Sequence, residues 1–192
     1  MTKFSVRELG PETWPDFTKI VEKHNGIWGG CWCVAFHCKP GEDWSSRGAA
    51  QNRRLKERLV MAGMTHNALV YDGDRTVGFC QFGSPAEIPS RMSGYARLGL
   101  DLPDWRIPCF FVDRDYRRSG VAKAALEGAL RIIAKKGGGT VDAYPISVHN
   151  KEYGSSFLWG GTGAMFAEAG FEQVGRLGKS KVVMRKTVRQ QR

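Results

Sequence analysis

The residues best suited to hold an anion lie in the middle of the chain, where Arg117 and Arg118 precede Gly120. The apolar run 109–112 comes just before this basic turn, and after it apolar residues recur at spacings of three and four as far as Ile133. This pattern predicts a buried strand, a tight turn and an amphipathic helix. A helix that begins at such a turn offers unpaired backbone N–H groups and the positive end of its dipole. The sequence therefore predicts an anion site, most often one for phosphate.

The spacing Arg117-x-x-Gly120-x-Ala122 resembles the acyl-CoA signature of the GNAT acyltransferase superfamily. That signature is Arg/Gln-x-x-Gly-x-Gly/Ala. Residues 164–172, Ala-Met-Phe-Ala-Glu-Ala-Gly-Phe-Glu, resemble the family's second landmark, a short helix that ends in Gly-Phe-Glu. A predicted strand lies between the two landmarks, as in the family. The resemblance extends over about residues 106–186.

The resemblance implies an α/β fold with a mixed (α+β) sheet of about six to seven strands, flanked by helices, with a splayed parallel pair of strands at its centre. At 192 residues the chain is expected to form a single domain over 1–192, with a basic tail that frays from about residue 187. The predicted elements are a strand at 3–9, a helix ending near 25, a helix at 45–61, a hairpin at 67–82, a long loop at 83–105, a strand at 107–112, a helix at 120–136, a strand at 140–146, a short helix at 163–169 and a hairpin at 171–186.

The same resemblance implies how acetyl-CoA, the expected cosubstrate, is bound. Backbone N–H groups of the central strand hold the pantetheine arm and polarise the thioester, while the turn and the start of the helix hold the pyrophosphate with added charge from two arginines. The implied cofactor-binding residues are Phe110, Phe111, Val112, Arg117, Arg118, Ser119, Gly120, Val121 and Ala122. A basic turn in any strand–helix–strand unit is the alternative interpretation of these residues.

The sequence departs from the family where a general acid is expected. Many relatives have a tyrosine in the short helix that protonates the departing thiolate, and here that position is Phe166. The replacement is predicted to be Tyr144, on the strand that faces the cleft. The alternative for Tyr144 is a structural role, with its hydroxyl bonded to a backbone carbonyl.

The general base is also missing from its usual place. The carboxylate found at the start of the central strand in histone-modifying relatives falls near Arg106, and Asp104 is the nearest acid. Glu87, in the loop after the first hairpin, is therefore the predicted base, with His149 as the other candidate. Deprotonation through water without a dedicated base is a third option.

An aromatic, cysteine-rich segment follows the first predicted helix. Because the corresponding region lines the acceptor side of the cleft in GNAT folds, it supplies the candidate substrate-binding residues Trp32, Cys33, Phe36 and His37. The alternative is that these aromatics fill the core between the first helix and the sheet. The run Cys31-x-Cys33-x3-His37-Cys38 contains zinc-ligand residue types, but Cys-x-Cys is tighter than the usual spacing and no second pair follows, so no metal site is predicted.

Composition restricts the other function classes. The formal net charge is +10, with basic clusters at 53–58, 114–123 and 179–192. The first and last indicate a solvated helix face and a basic tail, and nucleic-acid binding is not favoured because no recognisable module accompanies the tail. The five cysteines are an odd number, which favours reduced thiols. No apolar run approaches the roughly 20 residues of a membrane span, so a cytoplasmic protein without membrane association is expected.

The sequence thus predicts an N-acetyltransferase that moves an acetyl group from acetyl-CoA to the amine of a small molecule, by direct attack on the thioester. A non-catalytic acyl-CoA sensor or interaction module on the same fold is the alternative, and a basic nucleic-acid-binding protein is a weaker one. A homodimer is a further expectation, because the closing strands of this fold often pair.

Overall fold

The computed structural model describes residues 4–90, 94–146, 159–178 and 180–191. These residues form a seven-stranded mixed sheet in the order β1-β2-β3-β4-β5-β7-β6. The strands and helices are β1 Ser5–Glu8, α1 Trp14–Lys23, α2 Ala49–Met61, β2 His66–Asp72, β3 Arg75–Gly83, β4 Trp105–Val112, α3 Val121–Lys135, β5 Gly139–Ala143, α4 Gly163–Glu168, β6 Glu172–Leu177 and β7 Lys181–Val188. The predicted fold class, a mixed sheet flanked by helices, is confirmed.

Strands β4 and β5 are the parallel pair of this sheet, and they separate after three residue pairs. The last pair is Ile107 with Ala143. Beyond it β4 continues to Val112, but there its described partner is β3 alone, as in the pair of Val112 with Gly78. The predicted splay at the centre of the sheet is therefore present, and one edge of β4 is open.

An irregularity in β4 accompanies the splay. Gln81 pairs with Cys109, but Gly83 pairs with Arg106, so β4 has one residue more than β3 between these pairs. Proline at position 108 has no N–H to give to a ladder, which explains why the extra residue is tolerated there. Because of this extra residue, the pairing of the open part of β4 with β3 is shifted by one residue relative to the part of β4 that pairs with β5.

The two faces of the sheet carry separate apolar cores. Helix α3 covers one face, and its buried side chains pack on alternate residues of the central strands. Helix α1 covers the other face. The first core includes Val77, Ile107, Phe110, Leu126, Ala129, Ile133 and Phe166. The second includes Trp14, Phe17, Ile20, Trp32, Leu69 and Phe79. This division follows from the period of two along each strand.

Helix α2 presents an unusual inner face. Its buried residues are Asn52, Lys56 and Val60, whereas Leu55 and Leu59 are only half-buried. The sequence pattern of this helix predicts that Leu55, Leu59 and Val60 point inward; Val60 does, but the prediction was wrong for the two leucines. The polar pair is accommodated because each side chain finds partners: the Asn52 amide donates to two backbone carbonyls, and the Lys56 ammonium donates to Thr65 and Asn67.

The long connection between β3 and β4 folds over β5 and β7. Tyr95 is buried there, and its hydroxyl donates to Asp142 Oδ2 at 2.7 Å. Arg185 Nε donates to the other carboxylate oxygen, also at 2.7 Å. Asp142 is fully buried, so this pair of hydrogen bonds is needed to offset its loss of hydration. The three side chains fix the described part of this connection to the sheet.

The chain remains attached to the fold close to its last residue. Strand β7 runs to Val188, and the Gln191 N–H donates to the carbonyl of Ala134 at 3.0 Å. Among the described helices none is long and apolar enough to cross a membrane.

Candidate active site

The basic turn between β4 and α3 has the geometry of an anion site. The first hydrogen bond of α3 runs from Ala124 N–H to the Gly120 carbonyl, at 3.0 Å. In the described structure the N–H groups of residues 118–122 have no protein acceptor. Gly120 has φ +91°, and a Cβ placed on it would meet nothing within 4 Å. Because residues 117–120 are exposed and these N–H groups are unpaired in the described structure, the turn can offer donors to a pyrophosphate.

Asp113 fixes the start of this turn. Its carboxylate is fully buried and is bound by Lys23 Nζ at 2.6 Å and by Arg75 at 3.2 Å. Burial disfavours its ionised form, but the hydrogen bonds from Lys23 and from the Asp115 N–H outweigh burial and lower the pKa of Asp113 to about 2. Lys23 and Arg75 are thus engaged by carboxylates, which leaves the exposed Arg117 available for a ligand.

Two of the three N–H groups predicted to bind the pantetheine arm face the splay. Asp113 donates its N–H to the Val77 carbonyl of β3. Because backbone donors alternate along an antiparallel pair, the N–H of Phe111 also faces β3, while those of Phe110 and Val112 face the open edge. The assignment of the Phe111 N–H to the arm is corrected for this reason: β3 already uses that edge of the strand.

Tyr144 is the first residue after the last β4–β5 pair, so it lies where the strands separate. Its side chain is 7% exposed, and its hydroxyl accepts a hydrogen bond from Arg106 Nε at 3.2 Å. Burial raises the pKa of Tyr144 to about 12, although the Arg106 charge opposes the rise. Its phenol is therefore protonated at neutral pH and can serve as a proton donor.

Glu87, the predicted general base, is engaged by other protein groups at both carboxylate oxygens. Its Oε2 accepts from the Ser84 N–H at 2.7 Å, and its Oε1 lies 3.3 Å from His66 Nε2. Burial favours the neutral acid, but these hydrogen bonds prevail and lower the pKa of Glu87 to about 2. A carboxylate of that pKa is a weak base at neutral pH. The other candidate, His149, lies outside the described residues.

The aromatic segment divides between the core and the cleft. Trp32 is buried among rings of α1, 6.2 Å from Trp14 and 6.5 Å from Phe17, and Cys33 belongs to the same cluster. Phe36 instead joins a small cluster with Ile88, Cys109 and Trp159. Phe36 thereby reaches the open part of β4, whereas Trp32 and Cys33 lie in the core between α1 and the sheet.

His37 is half-buried, and both of its ring nitrogens have hydrogen-bond partners. Its Nδ1 lies 2.8 Å from the Glu87 carbonyl, and its Nε2 lies within 3.1 Å of Thr65 Oγ1 and Gln81 Nε2. A carbonyl accepts only, so Nδ1 carries the proton and Nε2 accepts. Burial lowers the pKa of His37 to about 3, so the ring is neutral. Among the described residues no group of three His, Cys, Asp or Glu side chains is arranged to hold a metal ion.

The residue that sequence reasoning missed is Lys56. Its ammonium is fully buried and donates to Thr65 Oγ1 at 2.7 Å and to Asn67 Oδ1 at 2.9 Å. Burial lowers the pKa of Lys56 to about 8. Asn67 is the β-sheet partner of Gln81, and Gln81 is the partner of Cys109, so a polar row leads from Lys56 to the cleft. Within the basic run 53–58, no sequence signal distinguishes Lys56 from its exposed neighbours.

Phe166 occupies the position where relatives have the acid. It is fully buried in α4, with ring centroids 5.9 Å from Phe110 and 5.1 Å from Phe171. Thr162 caps the helix, since its Oγ1 accepts from the Met165 N–H at 3.2 Å. The side chain at position 166 therefore serves packing and supplies no proton.

Comparisons with known proteins agree with this fold. The model of the Acetyltransferase (GNAT) family matches residues 31–151. A search of curated proteins gives no match. Among solved structures, a GNAT-family protein from Desulfovibrio desulfuricans has a TM-score of 0.55 at 16% identity, covering 96% of this chain and 99% of that one.

Two further structures share the fold. The histone acetyltransferase HPA2 and related acetyltransferase of Corynebacterium glutamicum has a TM-score of 0.57 at 16% identity, with 96% of each chain covered. The PaiA N-acetyltransferase of Thermoplasma acidophilum, solved with coenzyme A, has a TM-score of 0.54 at 15% identity, covering 96% of this chain and 98% of that one. The family match spans more than half of the chain, and we conclude that this protein belongs to the GNAT acetyltransferase family.

Proposed function

We propose that this protein is an acetyl-CoA-dependent N-acetyltransferase that acts on a small-molecule amine. The observation that carries the proposal is the open edge of β4, which ends in a turn whose N–H groups at 118–122 have no protein acceptor in the described structure. A strand edge that runs into a helix N-terminus offers successive donors for an extended arm and for its pyrophosphate. The exposed Arg117 and Arg118 add charge-assisted contacts.

The chain's residues divide the chemistry as follows. Bound acetyl-CoA supplies an activated acetyl group as a thioester. The N–H groups of Phe110 and Val112 bind the arm and polarise the carbonyl oxygen, which gains negative charge as the amine attacks. Tyr144 donates its proton to the departing thiolate sulfur. The amine attacks in its neutral form and loses its proton to water; the low pKa of Glu87 favours a supporting role for that carboxylate over direct proton abstraction.

The lining of the proposed acceptor-binding side of the cleft favours a small amphipathic amine as substrate. Phe36, Ile88 and Cys109 form a buried apolar cluster at the open part of β4, which is proposed to back the wall of the acceptor side. An amino acid derivative or an amine antibiotic fits such a wall better than a strongly acidic peptide does. The five cysteines are all free thiols, which fits the reducing cytoplasm proposed as its location. Strand β6 lies at the edge of the sheet, and a homodimer through it stays part of the proposal.

The proposal is tested in two steps. Calorimetric titration with coenzyme A should show binding of one molecule per chain. A thiol-release assay with acetyl-CoA and a panel of small primary amines should then identify at least one accepted amine, with N-acetylation verified by mass spectrometry. Absence of coenzyme A binding would disprove the proposal.

Replacing Tyr144 with Phe is expected to lower kcat for the accepted amine by about 100-fold, because the thiolate then leaves without its proton donor. The dissociation constant of coenzyme A should not change, since the hydroxyl is not needed for binding. Tyr95→Phe is the matched control, because it removes a buried hydroxyl from the same apolar cluster without touching Arg106. Equal kcat values for Tyr144→Phe and wild type would exclude Tyr144 as the acid.

One observation favours the non-catalytic alternative, an acyl-CoA-binding sensor or interaction module. Phe166 fills the usual position of the acid with a fully buried ring. That alternative predicts tight binding of coenzyme A with no turnover of any amine in the panel. The two functions therefore separate at the second step of the test.

A further inference from the structure

We propose that Arg106 is a positioning residue of this reaction: its guanidinium orients the Tyr144 hydroxyl so that the phenolic proton points away from Arg106 and into the opening between β4 and β5. This inference rests on the proposed function, since it takes Tyr144 as the residue that protonates the departing thiolate. It assigns a role to the position near which histone-modifying relatives have a carboxylate. The case for it is the geometry of one fully enclosed guanidinium.

The Arg106 side chain is fixed on three sides. It is 1% exposed, and its two terminal nitrogens donate to the Ile88 carbonyl and, at 3.1 Å, to the Ser90 carbonyl. Its Nε donates to the Tyr144 hydroxyl at 3.2 Å, and its guanidinium carbon lies 5.1 Å from the centre of the Tyr144 ring. Anchored by two carbonyls, Arg106 has a single orientation toward the phenol.

The direction of the Arg106–Tyr144 hydrogen bond decides the role of the phenol. A guanidinium has donors only, so the Tyr144 oxygen must accept. The phenolic proton then stays available for another acceptor. A backbone carbonyl as partner would have had the opposite effect, because it would have taken that proton.

The Arg106 charge also remains available to Tyr144. None of the ion pairs among the described residues includes Arg106. The nearby carboxylate of Asp142 is engaged by Arg185 Nε and by Tyr95, both at 2.7 Å. A buried cation without a hydrogen-bonded carboxylate is costly, and its stabilising effect falls on the negative charge that Tyr144 develops as it gives up its proton.

A double-mutant cycle tests whether Arg106 acts through Tyr144. We expect Arg106→Gln alone to lower kcat about 30-fold, with the KM for acetyl-CoA unchanged, and to lower it less than threefold in protein that already carries Tyr144→Phe. Arg106→Lys, which keeps the charge and one donor, should recover part of the loss. Arg53→Gln, a control on α2 whose guanidinium lies over the rings of Trp14 and Trp32 and not near Tyr144, should change kcat by the same factor in both backgrounds.

A second measurement does not depend on turnover. With 3,5-difluorotyrosine at position 144, fluorine NMR reports ionisation of that phenol alone. The charges of Asp142 and Arg185 also act on this phenol, and Tyr95 packs in the same cluster; all three residues are present in both proteins. Loss of the Arg106 cation favours the neutral phenol, so Arg106→Gln should raise the fluorotyrosine pKa by about one, a tenfold effect. Urea unfolding checks that each variant is folded, and Arg106→Met, which also lacks the charge, replaces Arg106→Gln if the latter is not.

The outcomes separate the inference from the proposed function. Equal losses from Arg106→Gln in both backgrounds overturn the inference while Tyr144 keeps its role. Full activity of Tyr144→Phe overturns both the acid and its positioning. If no amine is acetylated, the proposed function fails, and the fluorotyrosine pKa then decides alone: a rise supports control of the hydroxyl by Arg106, and an unchanged value overturns it.

Discussion

Replacing Gly120 with Glu is expected to weaken coenzyme A binding by more than 100-fold. The substitution places a carboxylate among the free N–H groups of residues 118–122, where the pyrophosphate is proposed to lie. An attraction between helix N-terminus and phosphate becomes a repulsion between like charges, and 100-fold corresponds to about 2.8 kcal/mol. The measurement is calorimetric titration of coenzyme A into wild-type and variant protein at the same ionic strength.

Gly63→Glu is the matched control for this variant. Gly63 also has a left-handed backbone, with φ +67° against +91° for Gly120, and a Cβ at either glycine would meet nothing within 4 Å. The two substitutions therefore carry a similar conformational cost and the same charge, but Gly63 lies just after α2, far along the chain from the turn. Unchanged affinity in Gly120→Glu, or an equal loss in Gly63→Glu, would contradict the assignment of the pyrophosphate site.

Replacing Lys56 with Met is expected to raise the free energy of unfolding at pH 7 by roughly 1–3 kcal/mol. The pKa of Lys56 is lowered by burial to about 8, from an ordinary value of about 10.4, which corresponds to roughly 3 kcal/mol of destabilisation while the group is charged. Met is an unbranched side chain of similar length that carries no charge to dehydrate. The loss of the hydrogen bonds to Thr65 and Asn67 offsets part of the gain.

The pH dependence of this effect has a definite sign. Between about pH 8 and pH 10.4 the unfolded chain holds the Lys56 proton and the folded chain does not, so wild-type stability rises with pH relative to Lys56→Met. The advantage of the variant should therefore shrink across this window. Burial raises the pKa of Cys31 to about 11, which has the opposite sign, but that thiol is present in both proteins and cancels in their difference.

Urea unfolding of both proteins at pH 7, 8.5 and 10 measures the effect. Lys19→Met is the control, because Lys19 is an exposed lysine on α1. It should change stability by less than about 0.5 kcal/mol at any pH. If Lys56→Met is less stable than wild type at pH 7, or if the difference in unfolding free energy does not depend on pH, then burial of the Lys56 charge does not destabilise the folded protein.

Much of the fold could be predicted because its signals are contiguous. The hairpin of β2 and β3, the strand β4 and the helix α3 each reveal themselves by a local period and a local turn. Helix α2 was the exception. Its apolar residues Leu55 and Leu59 suggested an apolar inner face, but Lys56 is buried instead, because the sheet residues opposite it are polar. Periodicity alone carries no information about the surface that a helix will meet.

By itself, the sequence predicted an anion-holding turn at residues 117–122 and determined that position 166 lacks a proton donor, because both are properties of short, unbroken segments. Only the tertiary structure decided which side chains meet across the sheet. Arg106 and Tyr144 come from different strands and touch because β4 and β5 pair just before they separate. Burial then raised the pKa of Tyr144, since the pKa of a group depends on the charges and solvent around it and not on its place in the chain.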